Sequence, residues 1–487
     1  MQWLDRLLGK QKHSPTRTPR VFFTNTLSGT KELFISQKPG LVLMYSCGPT
    51  VYGPAHIGNL RAFIFSDTIA RTLTAAGYRV RRVINITDFG HLVSDGDEGE
   101  DKMTKGLRRE GLALTLENMR TMAEKYTDIF IEDISALNID AEQITFPRAS
   151  DYIPEQIALI KTLEQKGYAY RTKGGVYFDT ARFSGYGKLG GINTSEQQES
   201  ARIKMNREKR HPADFVLWKP DTKLGWQSPW GLGFPGWHIE CSAMSRSLLG
   251  QEIDIHTGGE DHIAVHHNNE IAQSEAASGR TFVHYWMHNS FLNMGDTKIS
   301  KSLGNVIYLS DVVAKGFHPL ALRYVFLQGH YRTQLSFSWD ALAGAAGALE
   351  RLWKISRDIA EESKRKDTPS EARESFLAAL RDDLATPQAL SVLWESLKSE
   401  EYTPEEKWGL IIDADTHLGL SLVHPPTEPE LKEADIPATI RDLLAKRETA
   451  RTSKDFAEAD RIRDEIEKSG YRVDDSPNGP VLIRTTL

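Results

Sequence analysis

The chain has 487 residues, 40% apolar and 26% charged, with a formal net charge of −6 and two cysteines. That length exceeds one ordinary core and calls for about two to four domains; the composition is that of a globular protein, and no apolar run is long enough to cross a bilayer. Two thiols cannot staple a disulfide framework, which fits a reducing cytosol and predicts a cytoplasmic protein with both thiols free or metal-bound; the net charge argues against indiscriminate polyanion binding but leaves room for a local basic face.

Residues 1–20 join a short amphipathic stretch to a basic, proline-containing tail, with no continuous apolar segment and no small-residue cleavage site, so they read as a mobile extension rather than a secretory signal. An apolar run over 41–47 ends at Gly48-Pro49. Beyond it Ile57, Leu60, Phe63, Ile64 and Ile69 recur at helical spacing up to Gly77, and Val80, Val83, Ile84 and Ile86 predict a second strand over 79–88. Strand, helix and strand make a βαβ unit. An acidic loop, 94–101, follows.

From about 141 to 229 the pattern is irregular, with a strand-like segment at 175–178 and a basic stretch at 202–210; it reads as an insertion between two halves of one α/β domain. Strands predicted at 252–256 and 282–292 enclose a helix at 264–277. Further on, Ser338 caps a helix carrying Leu342, Ala346, Leu349 and Trp353 on one side. More helices are predicted at 376–380 and 387–397. A proline-rich linker, 424–429, precedes a helical pair marked by Ile440, Leu443 and Leu444, then Phe456, Ala459, Ile462 and Ile466. The expected plan is an α/β domain over 21–335, a helical bundle over 336–425 and a small module over 430–487.

Two segments carry chemistry. His56-Ile57-Gly58-Asn59 stands where a helix begins, and unpaired N–H groups with the positive end of the helix dipole attract phosphate there. Gly58 would let a nucleotide approach the backbone, while His56 and Asn59 offer donors; alone, a His in this place is more often a cap. The second, Lys298-Ile299-Ser300-Lys301-Ser302, supplies cations for the negative charge that develops in a phosphoryl-type transition state. Each segment is weak by itself, and the pair is strong.

Together they resemble the two hallmark motifs of the class I aminoacyl-tRNA synthetases, the His-Ile-Gly-His and Lys-Met-Ser-Lys-Ser types. Within that class the chain resembles the cysteinyl-tRNA synthetase family, through Tyr45-Ser46-Cys47-Gly48-Pro49-Thr50-Val51-Tyr52, Gly236-Trp237-His238-Ile239-Glu240-Cys241, Asp254-Ile255-His256, His266-His267-Asn268-Asn269-Glu270 and Tyr285-Trp286-Met287-His288-Asn289. The likeness runs over about 21–487, including Phe456 to Glu465. It implies a Rossmann-like parallel-sheet catalytic domain with an inserted subdomain, then the helical bundle and a small anticodon-binding module. The implied activity is that of a cysteine–tRNA ligase, acting on L-cysteine, ATP with Mg2+ and tRNA(Cys) as a monomer without membrane attachment. Two other functions are weighed against it: a zinc-dependent cysteine ligase acting on a small amine, of the mycothiol-pathway kind, and a non-catalytic tRNA-binding paralogue.

The resemblance also implies a zinc site at Cys47, Cys241, His266 and Glu270 that holds the substrate thiolate. His266 and Glu270 are i and i+4, so they share one helix face, although such a pair taken alone reads as a surface pair. A thiolate-preferring ion separates cysteine from serine, and a site that demands a partner can reject analogues by ~10⁴. By the same resemblance His56, Asn59, Lys298 and Lys301 are catalytic, and Gly58, Gly258, Gly259, Asp261 and Lys301 bind the nucleotide. Gly48, Thr87 and Trp237 contact the amino acid; His238, His256, His262 and His267 crowd the same region. Arg202, Lys204, Arg207, Lys209 and Arg210 are expected along the acceptor arm. The chain departs from the family pattern at Phe89 to Val93 and the acidic loop, at Thr257, and at Asn59 and Ile299 within the two hallmark motifs.

Overall fold

The computed structural model describes residues 19–89, 102–191, 208–295, 297–298, 306–426, 436–469, 471–476 and 479–484. The extension up to residue 18, the acidic loop, Arg202, Lys204, Arg207, Ile299 to Ser302 and residues 427–435 of the linker region lie outside the described residues. For Lys298 only the backbone is described.

The chain opens with an antiparallel pair, β1 (Phe22–Asn25) and β2 (Thr30–Leu33), then enters β3 (Leu41–Ser46), α1 (Ile57–Ala75) and β4 (Arg79–Ile84). The predicted βαβ unit is present, since β3 and β4 pair in parallel from Leu41 opposite Arg79 to Ser46 opposite Ile84. Helices α2 (Lys102–Arg109) and α3 (Leu116–Ala136) lead to β5 (Ile144–Thr145), a parallel neighbour of β4. Residues 144–145 therefore belong to the main sheet, although the sequence pattern placed them in the insertion. The irregular region is built from α4 (Ile153–Gln165) and an antiparallel sheet of β6 (Ala169–Thr172), β7 (Gly175–Phe178), β8 (Phe215–Pro220) and β9 (Gly233–Pro235). That sheet continues past residue 229.

After it come α5 (Trp237–Leu248), β10 (Ile253–Gly259), α6 (Asn268–Ser278) and β11 (Val283–Asn289). The main sheet has five parallel strands in the order β11-β10-β3-β4-β5. Winding runs outward in both directions from the β3/β10 boundary, so the carboxyl ends of these two strands diverge into a crevice. Open α/β sheets bind their ligands in such a crevice.

Next come β12 (Leu292–Met294) and β13 (Thr297–Lys298), then α7 (Leu309–Ala314), α8 (Pro319–Leu327) and β14 (Leu335–Phe337), which pairs with β12 in a small sheet. Ser338 caps α9 (Trp339–Glu362) by accepting from the amide of Ala341 at 3.0 Å. The bundle continues through α10 (Glu371–Arg381), α11 (Thr386–Lys398) and α12 (Pro404–Leu418), the last of which the apolar spacing left unmarked. The terminal module packs α13 (Ala438–Thr452) and α14 (Phe456–Lys468) with an antiparallel pair, β15 (Tyr471–Ser476) and β16 (Gly479–Arg484), around Ile440, Ile462, Ile466, Tyr471, Val473 and Leu482. No described helix is long and apolar enough to cross a membrane.

Candidate active site and metal centre

Cys47 follows β3 directly, and its amide donates to the carbonyl of Thr257 on β10 at 3.1 Å, which places the thiol at the sheet's switch point. The turn is held by Asn85, whose Oδ1 accepts from the amide of Gly48 at 2.8 Å. A Cβ at position 48 would fall 1.6 Å from the carbonyl oxygen of Asn85, so only glycine fits. Cys241, on α5, lies with its sulfur 3.7 Å from the same Asn85 Oδ1.

The other two expected ligands come from the segment after β10. Residues Ile263–His267 form one turn of π-helix leading into α6, and π turns of this kind concentrate at functional sites. His266 and Glu270 are 2% and 0% exposed, not a surface pair, and His266 Nε2 stands 2.9 Å from Glu270 Oε1. Potential ligand atoms of Cys47, Cys241, His266 and Glu270 all lie within 4.8 Å of one another. A second group, Cys47, His256, His267 and Glu270, meets the same limit. The first has two thiols, one imidazole and one carboxylate, a donor set that suits a thiophilic, four-coordinate cation.

The electrostatics agree with such use. Burial pushes the Cys47 thiol up, and the neighbouring Cys241 and Glu270 add to the effect, whereas the bond from Cys47 brings Cys241 below its ordinary value despite burial. Burial opposes charge on His266, but Cys241 and Glu270 outweigh it and raise the imidazole to about 10. Burial likewise works against ionisation of Glu270, yet His256 and His266 hold it at about 2. The Glu270 carboxylate is thus kept ionised by the imidazoles beside it.

The histidines form connected pairs. His238 Nδ1 is 2.9 Å from His266 Nδ1, and His256 Nε2 is 3.0 Å from Glu270 Oε2. His267 links Cys47 Sγ at 3.3 Å to His288 at 2.7 Å, and His288 meets Thr26 Oγ1 at 2.8 Å. Desolvation depresses His267 and His288 well below the ordinary imidazole value and His262 to about 4. His288, Asn85 and Glu240 had no role assigned from sequence; each lay inside a motif or beside one, so motif membership was the available signal.

Around this centre stand the expected substrate contacts. The Trp237 ring lies 4.5 Å from that of His266, and Thr87 Oγ1 donates to Glu240 Oε2 at 2.8 Å. Gly258 and Gly259 end β10, and a Cβ at 258 would come within 2.7 Å of His262 and His267. Asp261 follows in an exposed turn. At the start of α1, His56 is indeed a cap: its Nδ1 accepts from the amide of Asn59 at 3.2 Å, and Asn59 Oδ1 accepts from the amide of His56 at 3.3 Å. Lys301 lies outside the described residues. Of the basic stretch, Arg210 is held 4.1 Å over the Tyr170 ring and 3.2 Å from Asp179.

The chain belongs to the class I aminoacyl-tRNA synthetases, for residues 33–347 match the family model for the tRNA synthetases class I (C) catalytic domain. Its fold is shared with Mycobacterium tuberculosis methionyl-tRNA synthetase in complex with methionyl-adenylate, at a TM-score of 0.54 and 16% identity over 79% of this chain and 92% of that one. More narrowly, the chain belongs to the cysteine–tRNA ligase family. It is 46% identical to cysteine–tRNA ligase 1 of Burkholderia lata, covering 94% of this chain and 96% of that protein, and 40% identical to the cysteine–tRNA ligase of Treponema denticola over 93% and 97%. Residues 433–479 match the cysteinyl-tRNA ligase anticodon binding domain.

Proposed function

We propose that this cysteine–tRNA ligase selects its amino acid at Cys47, Cys241, His266 and Glu270 and activates it between the start of α1 and the segment 298–302. The observation that carries this is the convergence of four soft and hard donors, from three distant segments, at the carboxyl ends of β3 and β10. These residues fit a zinc ion, which when bound would hold the substrate sulfur as a thiolate, a contact that serine cannot match. The tetrad with two thiols is preferred over the group with His256 and His267, because a second sulfur donor suits a thiophilic ion better than a second imidazole.

Trp237 closes the side of the pocket next to His266, and Gly48 and Thr87 face the amino acid. In the first step the cysteine carboxylate forms a bond to the α-phosphorus of MgATP and pyrophosphate leaves, giving cysteinyl-adenylate. His56 accepts a bond at Nδ1, so in its neutral form the proton sits on Nε2, where it can be donated to a phosphate oxygen. Asn59, Lys298 and Lys301 assist at the phosphates, while Gly58, Gly258, Gly259 and Asp261 line the nucleotide. In the second step the 2′-hydroxyl of the terminal adenosine of tRNA(Cys) attacks the activated carbonyl, and AMP departs with the bonding electrons. No protein nucleophile is needed; positioning and fixed charge carry the rate.

The bundle 336–425 and module 430–487 serve the anticodon end, with Lys209 and Arg210 toward the acceptor arm, in a monomeric cytoplasmic protein. The anticodon-domain match favours tRNA over a small amine as acceptor. Cysteine-dependent ATP–pyrophosphate exchange tests activation, and acid-precipitable cysteine on added tRNA tests transfer. Full cysteine-over-serine selectivity in Cys241→Ser would refute the metal role.

A further inference from the structure

The adenylation groups named above sit on three segments: the start of α1, the end of β10 with the turn after it, and β13 with the stretch beyond. One buried side chain ties these segments together. Arg61, 2% exposed, lies just over one turn into α1, and its Nη1 donates to the carbonyls of Ser290 at 2.8 Å and Phe291 at 2.6 Å. Its Nη2 donates to the carbonyl of Thr333 at 2.6 Å, with those of His330 and Tyr331 at 3.4 Å.

Ser290 and Phe291 join β11 to β12, the strand that pairs with Thr297–Lys298, and Thr333 lies just before β14 on the other side of β12. Glu260, directly after Gly258-Gly259, grips the same joint. Its carboxylate accepts from Ser290 Oγ at 2.8 and 2.9 Å and from the amide of Phe291 at 3.0 Å. Where the chain emerges beyond 298–302, the carbonyl of Ile307 accepts from the amide of Ile57 at 2.9 Å, and Tyr308 bridges to His56. Helix α1 therefore holds the chain on both sides of the lysine-bearing segment, and the first hold needs a planar fork that reaches the connections before β12 and before β14 at once. Arginine provides that fork; lysine, a point charge on a flexible stem, does not.

We propose that Arg61 and Glu260 are positioning residues that fix the entry to β12, the strand paired with Thr297–Lys298, against the nucleotide-binding start of α1, and so govern adenylate formation rather than transfer to tRNA. This rests on the role given above to Lys298 and Lys301. The logic is geometric: catalysis by fixed charge is sensitive to placement, and a misplacement of about 1 Å can cost ~100-fold.

The test uses the full chain loaded with zinc. In Arg61→Lys, kcat for cysteine-dependent pyrophosphate exchange is expected to fall ~100-fold with the KM for cysteine and the zinc content unchanged. Transfer from synthetic cysteinyl-adenylate to tRNA should stay within about threefold of the parent. Glu260→Ala should lose about tenfold in exchange, and Glu260→Gln, which keeps an acceptor oxygen, should recover most of it. Ser290→Ala, which removes one donor and leaves Arg61 in place, is the mild variant should Arg61→Lys fold poorly, and should lower exchange while sparing transfer. Exchange unchanged in Arg61→Lys and Glu260→Ala, or parallel loss of both half-reactions together with a lowered melting temperature, would overturn the proposal. Lys301→Ala separates the two levels: exchange unaffected by it sinks the role assigned to the lysines, whereas exchange lost there but kept in Arg61→Lys sinks only the positioning role.

Discussion

Asp67 and Glu270 are both buried carboxylates, 2% and 0% exposed, yet they belong to different kinds of place. Asp67, in the middle of α1, accepts from Arg71 and Arg323 at 2.7 Å each and from Arg82 at 3.1 Å. The excess positive charge goes to backbone carbonyls. Arg323 donates to those of Leu418 at 2.6 Å and Leu137 at 2.8 Å, and Arg71 to that of Asn138 at 2.6 Å. Apart from Nε and Nη2 of Arg82, which are buried without a hydrogen-bond partner, the fold supplies the partners of these groups, and the cluster joins α1 to the end of α12. Glu270 instead shares its space with two thiols and with imidazoles, a set of donors within 4.8 Å of one another that the proposed zinc would complete. What separates scaffold from site is therefore not burial but whether the buried charge is balanced by the protein's own ion pairs and carbonyls.

Cys241→Ser is the sharpest way to test the site half of that contrast. It removes a soft donor without removing volume, so cysteine-dependent exchange should fall ~100-fold or more and bound zinc should drop, since even outer-shell losses cost 10–100-fold. The unfolding midpoint measured on metal-free protein should hardly move. Asp67→Asn should give the reverse signature. It leaves buried guanidinium groups without their anion, at a cost of about 3–5 kcal/mol in urea unfolding, while the folded fraction keeps its KM for cysteine. A stability loss under about 1 kcal/mol would show that the carbonyls alone satisfy the arginines, and the contrast would fail.

The same cluster has a pH signature. Burial opposes ionisation of Asp67, but Arg323, Arg71 and Arg82 together hold its carboxyl well below the ordinary range. A depressed native value means that the unfolded chain binds the proton first. The contribution is thus complete above the unfolded value of about 4 and is lost as pH falls from there toward the native value. Asp133 runs the other way: burial, then Glu132, raises it to about 6, so its share of stability declines as pH rises from about 4 to 6. Urea titrations between these limits should show Asp67→Asn losing the acid-side slope and Asp133→Asn losing the opposite one.

How much of this was legible in the sequence follows from the same contrast. The βαβ start and the cap at Ser338 could be read because strand and helix periodicity and cap chemistry are local, whereas the tetrad, spread over three distant segments, was implied only by the family resemblance. The burial of His266 and Glu270 could not be read, because an i,i+4 pair looks alike on a surface and in a crevice, and the π turn that carries His266 has no spacing of its own. Arg61, Asp67 and Arg323 were invisible for a stronger reason. Helix α1 is buried on most sides, including Arg61, Ser66 and Asp67 among its apolar residues, so its polar positions read as a solvent face. Their partners are carbonyls, which any residue carries. The small strands β5, β15 and β16 also escaped, being set by pairing rather than by pattern.

The smallest expected effect completes the comparison. On α14, Arg461 meets Glu458 at 2.7 Å and Glu465 at 3.3 Å, the same charge types as around Asp67 and at similar distances. Here the side chains are 62%, 43% and 50% exposed, so water solvates each charge whether or not it is paired. The attraction is offset by the side-chain freedom lost in holding the pair, and salt screens what remains. Arg461→Ala should therefore leave the urea midpoint of the full chain unchanged at physiological ionic strength, and lowering the salt should expose at most a slight difference. A shift approaching that of Asp67→Asn would mean that pairing geometry outweighs solvent access in this protein, and the division between fold-completed and solvent-completed charges would have to be redrawn.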